Sequence, residues 1–178
     1  MIHRETFAWH NASKLLHLKI WSDSLNNGRQ QYVRAKLRWH RNDDSSRRRV
    51  TIARLVGSWT AATSQFYIVC FRNEFRCNRR LANNARCALQ FRHIGAWLLS
   101  RVASLVVPRR AWKQSHIRLI ADGTVVDASG HAHVNREKLV AYYESLGFHV
   151  ADRSEADDIV MQSNVATTMR RISRLLLL

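Results

Sequence analysis

Apolar and polar positions change period along this chain, and each change marks an element. Over Tyr32–Arg41 the apolar residues Val33, Ala35, Leu37 and Trp39 alternate with polar, mostly basic ones, which predicts a strand with a basic outer face. Val50–Val56 and Phe66–Phe71 predict two more strands, with Thr60–Ser64 as turn material. Val50, Ile52 and Leu55 then pair with Tyr67, Val69 and Phe71 as a hairpin. Upstream, Trp9, Leu15, Leu16, Leu18, Ile20 and Trp21 mark a buried segment that fits a helix or a strand, and Asn26-Asn27-Gly28 marks a turn. Asn42–Arg49 is a polar loop, and Arg72–Arg86 is a polar, basic stretch that reads as a loop or a frayed helix.

The second half switches between the two periods. Cys87–Phe91 is a short apolar strand candidate. Leu98, Leu99, Val102, Leu105 and Val106 recur at helical spacing, which predicts a helix over 96–107, stopped by Pro108. Ile117–Ala121 reads as a buried strand closed by Asp122-Gly123, and Thr124–Val134 as a variable loop. A helix follows over 135–146, with both ends marked. Asn135 caps it, Glu137 sits where the dipole favours negative charge, and Leu139, Val140, Tyr143 and Leu146 share one face. Gly147 is placed for a left-handed stop. His149–Asp152 and Ile159–Gln162 are short strands around an acidic turn, and Ala166–Leu178 adds a closing helix. From residue 87 the order is strand, helix, strand, helix, strand, strand. That order predicts an α/β fold: a mixed central sheet with parallel central strands, flanked by helices.

Composition narrows the classes. The 178 residues fit one domain, and a hydrophobic content of 46% supports a core and argues against wholesale disorder. No apolar run is long enough to span a membrane as a helix. Arg4, Glu5 and His10 interrupt any secretory signal, and the acid-poor, Arg-bearing N-terminus leaves organelle import open. Cys70, Cys77 and Cys87 are odd in number and unpaired in spacing, which predicts an intracellular, reducing compartment such as the cytoplasm. Net charge is +16 and uneven. Residues 1–118 carry 23 Lys and Arg against 5 Asp and Glu, a net of +18, and residues 119–178 carry 6 against 8, a net of −2. Such a field attracts polyanions (nucleic acid, an anionic membrane or a phosphate-rich cofactor), and a merely solvated Arg-rich surface has the same composition. The alternating segment with Tyr32 and Trp39 fits stacked bases and bound phosphates, or equally a sheet edge protected by charge.

Two strings carry candidate chemistry. Gln90–Leu99, QFRHIGAWLL, places a glycine turn at a helix start, where backbone N–H groups and the helix dipole favour phosphate. Asn135–Phe148, NREKLVAYYESLGF, is the well-marked helix. Together they resemble the GCN5-related N-acetyltransferase superfamily over about residues 88–162. The second string is similar to its "YE-x-LGF" helix, and the first to its acetyl-CoA pyrophosphate loop, Q/R-x-x-G-x-G/A before a leucine-rich helix. His93 departs from that loop, standing where the first glycine belongs. A side chain there crowds the pyrophosphate or demands a backbone angle that glycine prefers.

The resemblance implies an acyl-CoA N-acyltransferase-like fold, acetyl-CoA as co-substrate and an amine-bearing acceptor. It implies that Gln90, Arg92, His93, Ile94, Gly95 and Ala96 form the pyrophosphate loop, with amides of Ile94, Gly95 and Ala96 on the phosphates and Arg92 adding charge. Asn135 lies near the family's cofactor-contacting asparagine. Tyr143, directly before Glu144, would be the general acid for the departing thiolate, with Tyr142 in reserve. Residues 87–178 would be the acetyl-CoA-binding half of a single domain. Residues 1–86 would supply the early strands and helices, or a basic extension. Glu74, Asp122 and His131 are candidate bases without a spacing argument. A different class fits the charge alone: a basic nucleic-acid-binding or ribosome-associated protein without catalytic activity.

No metal site is expected. Cys77, Cys87 and His93 match no zinc spacing, and His131 and His133 with Asp122 or Asp127 lack a third ligand at a diagnostic distance. There is no serine elbow, P-loop or cysteine-nucleophile signature.

Overall fold

A computed structural model describes residues 1–8, 15–25, 29–40, 49–72, 93–121, 124–126, 132–134, 136–153 and 159–177. Five strands come first: β1 (Ile2–Ala8), β2 (Leu15–Leu25), β3 (Gln30–His40), β4 (Arg49–Thr60) and β5 (Gln65–Arg72). Helix α1 (Ile94–Val106) and a 3₁₀ turn at Arg109–Ala111 lead to β6 (His116–Ile120). A small hairpin of β7 (Thr124–Val126) and β8 (Ala132–Val134) precedes α2 (Arg136–Ser145), β9 (His149–Arg153), β10 (Ile159–Asn164) and α3 (Val165–Leu176).

Among the described residues eight strands make one mixed sheet in the order β1-β2-β3-β4-β5-β6-β10-β9. All its ladders are antiparallel except β5–β6 near the middle. The α/β class and mixed sheet agree with the expectation, and the parallel character is confined to that one pair. The buried segment around Leu16 to Ile20 is a strand. The expected Val50–Val56 strand runs on to Thr60, and the loop expected over 124–134 contains the β7–β8 hairpin. Among the described residues of 1–86 every element is a strand. The expected strand at 87–91 lies outside the described residues.

Alternation gives the sheet an inner and an outer face. Leu16, Leu18 and Ile20 of β2, Val33, Ala35, Leu37 and Trp39 of β3, and Leu55 of β4 are buried on the inner face. Phe66 and Ile68 of β5, Ile117 and Leu119 of β6 and Met161 of β10 extend the same layer. Helix α1 lays Ile94, Leu98, Leu99, Val102 and Val106 on it, and α3 adds Val165 and Ile172. Tyr32 alternates with Val33 and so faces outward, whereas Trp39 is 7% exposed in the core. The two rings therefore lie on opposite faces and form no common stacking platform.

Polar contacts fix the helices on this layer. Arg101 of α1 donates through Nε and Nη2 to Glu5 Oε2 at 2.9 and 2.7 Å, tying α1 to edge strand β1. Phe7 and Trp97 stack beside this pair with centroids 4.4 Å apart. Asn164 caps α3: its Oδ1 accepts from the amides of Ala166 and Thr167, and its Nδ2 donates to the Lys113 carbonyl at 2.7 Å. Asn164→Ala removes the cap and that tether, so we expect a loss of about 1–2 kcal/mol, read as a lower denaturant midpoint at unchanged slope.

Candidate active site

The parallel pair is where the sheet opens. Its ladder runs from Gln65↔His116 to Ile68↔Leu119. Beyond Ile68, β5 carries an extra residue relative to β4, because Val56 faces Cys70 while Gly57 faces Ile68. Val69 is that residue, a β-bulge, and it is 64% exposed. Strand β6 instead continues beside β10 to Ile120↔Val160, and the Ala121 amide bonds the Ile159 carbonyl. The two parallel strands thus take different partners at their carboxyl ends, the place where open α/β sheets receive ligands.

Helix α1 begins beside this opening. Its first closed turn is the Trp97 amide on the His93 carbonyl at 3.0 Å. The amides of Ile94, Gly95 and Ala96 precede that bond and have no intrahelical acceptor, as at any helix start. His93, the N-cap residue, has φ 62 and ψ 7, a left-handed conformation, and its side chain makes no cap bond. The backbone at this position is therefore one that glycine adopts without cost and histidine adopts against about 1–2 kcal/mol of steric strain.

Helix α2 brings its tyrosines to the same place. It ends in a Schellman motif. Gly147 has φ 92, its amide bonds the Glu144 carbonyl, and the Phe148 amide bonds the Tyr143 carbonyl. Phe148 closes the motif against Tyr143, centroids 5.6 Å apart. This stop turns the chain so that Tyr143 also meets Phe71 of β5 at 6.4 Å and Tyr142 at 5.5 Å. A Cβ on Gly95 would lie 3.3 Å from Phe71 Cζ and 3.6 Å from the Tyr142 hydroxyl. Gly95 and the two tyrosines, far apart in the chain, thus share one cluster with Phe71.

Tyr143 is 4% exposed, and its hydroxyl makes no hydrogen bond among the described residues. Burial pushes its pKa well above the ordinary tyrosine value of 10, with neighbouring Tyr142 and Cys70 adding to the shift. The phenol thus stays protonated at neutral pH. The unfolded chain releases this proton near pH 10 and the native one holds it, so stability present below pH 10 is lost as pH rises further. Tyr143→Phe removes this contribution and flattens the alkaline limb of a stability–pH profile.

Of the other residues named from sequence, Gln90, Arg92 and Asn135 lie outside the described residues, as do Glu74, Asp122 and His131. Ile94, Gly95 and Ala96 are buried at the helix start. Among the described residues no group of three His, Cys, Asp or Glu is placed to hold a metal ion, and no helix is long and apolar enough to cross a membrane. Phe71 is the member that sequence reading gave only as a hairpin residue. Its place beside Gly95 depends on the bulge at Val69, which leaves no signal in hydropathy. No family model matches this chain, and no curated protein or solved structure matches it.

Proposed function

We propose that this protein is an acetyltransferase of the acyl-CoA N-acyltransferase type, moving an acetyl group from acetyl-CoA to an amine. The observation that carries the reading is the cluster at the opening of the parallel pair. The start of α1 reaches Phe71 and the Tyr142 hydroxyl there, and these in turn touch the ring of Tyr143, a buried, protonated phenol without a hydrogen-bond partner among the described residues. Two buried features ask for a ligand. Helix-start donors favour an anion, and a buried hydroxyl without a partner is costly. The element order gives further support: α1, β6, α2, β9 and β10 come in the sequence that the resemblance implies, with the short β7–β8 hairpin inserted between β6 and α2.

In this reading the amides of Ile94, Gly95 and Ala96 hold the pyrophosphate, and Arg92, Gln90 and Asn135 belong to the same cofactor site. Acetyl-CoA supplies an activated thioester. The protein's part is to orient it beside the carboxyl end of β5, exclude water with Phe71 and Phe148, and give the Tyr143 proton to the leaving sulfur as the C–S bond breaks and the C–N bond forms, with the proton that the amine loses restoring the phenol. Desolvation raises the pKa of a thiol in the same direction as that of the phenol, which keeps donor and acceptor matched. Tyr142 lines the helix start. His93 narrows the loop, so His93→Gly is expected to tighten acetyl-CoA binding.

Release of free thiol from acetyl-CoA, followed over a panel of primary amines, tests the reaction. Amine-dependent thiol release supports it. A protein that binds acetyl-CoA and releases no thiol with any amine contradicts the catalytic reading.

A further inference from the structure

The outer face of the first five strands carries an arrangement that acyl transfer does not use. The ladders place Arg4 opposite Lys19, Lys19 opposite Lys36, Lys36 opposite Arg54, and Arg54 opposite Arg72. One row of five cations therefore crosses β1, β2, β3, β4 and β5 at right angles to the strands. At about 4.8 Å per strand the row is roughly 19 Å long. Each of the five residues alternates with neighbours on the inner face, so all five belong to the face opposite α1 and α3. Like charges directly opposite one another destabilise a sheet. Four such pairs in succession concentrate positive potential on this face, which favours a bound polyanion.

Two aromatic rings lie to one side of the row. Trp21 is two residues from Lys19 on the same face, and both Lys19 Nζ (4.3 Å) and Lys36 Nζ (5.9 Å) lie over its ring. Tyr32 lies further along the same face, opposite Asp23. Among the described residues Asp23 is the one carboxylate on the outer face of β1–β5, since Glu5 turns inward to Arg101.

We propose that this face binds single-stranded nucleic acid laid across the strands, with phosphates on the five-cation row and bases stacked on Trp21 and Tyr32. Arg34 and Arg38 flank Lys36 on the same face of β3 and widen the charge there, so the choice of a nucleic acid over an anionic membrane rests on the rings. The rings suit unpaired bases, which offer a flat face to stack on where duplex bases do not. No residue of the α1–α2 cluster takes part, so nucleic-acid binding and acetyl transfer stand or fall separately.

Fluorescence anisotropy of a labelled single-stranded RNA oligonucleotide of mixed sequence, titrated at several salt concentrations, tests it. The Lys19→Gln/Lys36→Gln pair is expected to lower affinity about tenfold or more and to reduce the log–log salt slope by about 1.4, which is about 0.7 for each phosphate left unneutralised. Its thermal midpoint should not fall, because repulsion in the row is relieved. Trp21→Ala is expected to weaken binding about fivefold or more at unchanged salt slope. Arg170→Gln/Arg171→Gln on exposed turns of α3 removes the same net charge and should leave affinity within about twofold. Equal losses from the lysine and arginine pairs would overturn the proposal, since the general field would then be responsible. So would an unchanged affinity in Trp21→Ala, or binding of anionic phosphatidylserine vesicles with no binding of the oligonucleotide.

Discussion

Gly57→Ala should unfold this protein more readily than any other single-methyl change to the sheet, with a loss of about 3 kcal/mol. The added Cβ would stand 2.6 Å from the Tyr67 carbonyl oxygen, 3.0 Å from Phe66 Cε2 and 3.4 Å from Ile68 Cα. Two of these are backbone atoms of the neighbouring strand, which cannot rotate away as a side-chain tip does. Gly57 also sits at the register shift that produces the β5 bulge. Relief of the clash therefore has to move β5, and with it the point where β5 and β6 part. We expect the thermal midpoint to fall by roughly 10 °C for a chain of this size, with acetyl-CoA binding weakened in parallel. An unchanged midpoint would mean that β4 and β5 pair differently from the ladder described.

Tyr143→Phe should give the opposite separation. The hydroxyl has no hydrogen-bond partner among the described residues, so its loss leaves no donor or acceptor stranded. The ring contacts with Phe71, Tyr142 and Phe148 remain. Stability at neutral pH is therefore expected to hold or rise slightly, because the desolvation penalty of an unpaired hydroxyl disappears. Turnover should fall by about 10²–10⁴, the usual contribution of a positioned acid, while acetyl-CoA affinity stays within a few fold. Steady-state thiol release and a denaturant melt on the same preparation check both halves. A stable variant with full turnover would remove Tyr143 from the chemistry and leave it a core residue. The Tyr142→Phe variant then shows whether the hydroxyl beside Gly95 takes that part.

Much of the fold was legible because it rests on short-range signals. Alternation in β3, the apolar stripe of α1 with Pro108 after it, and Gly147 at the end of α2 each act within a few residues. Strand β1 gave little warning. Its inward residues are His3, Glu5 and Phe7, and the carboxylate is accommodated by Arg101, which lies 96 positions away. Leu105, placed on the apolar stripe by spacing, is 42% exposed, because α1 meets the sheet along a narrower band than its sequence offers. The site was legible as two separate strings. Their meeting was implied by the family resemblance alone, because it depends on the bulge at Val69, which hydropathy does not mark. The strain at His93 was readable from its standing where the resembled loop has its first glycine. The five-cation row was invisible without register, because its members lie on five different strands and each looks like an ordinary surface charge alone.

An acetyl-CoA site formed by the start of α1 and the tyrosines of α2 is the feature on which the enzymatic reading turns. Titration calorimetry of the protein with acetyl-CoA at moderate salt, beside plain CoA and inorganic polyphosphate, tests it most directly. The expected result is saturable binding of acetyl-CoA near the micromolar range that polyphosphate neither reproduces nor displaces, and that His93→Gly strengthens. Absence of binding, or equal binding of acetyl-CoA and polyphosphate, would contradict it.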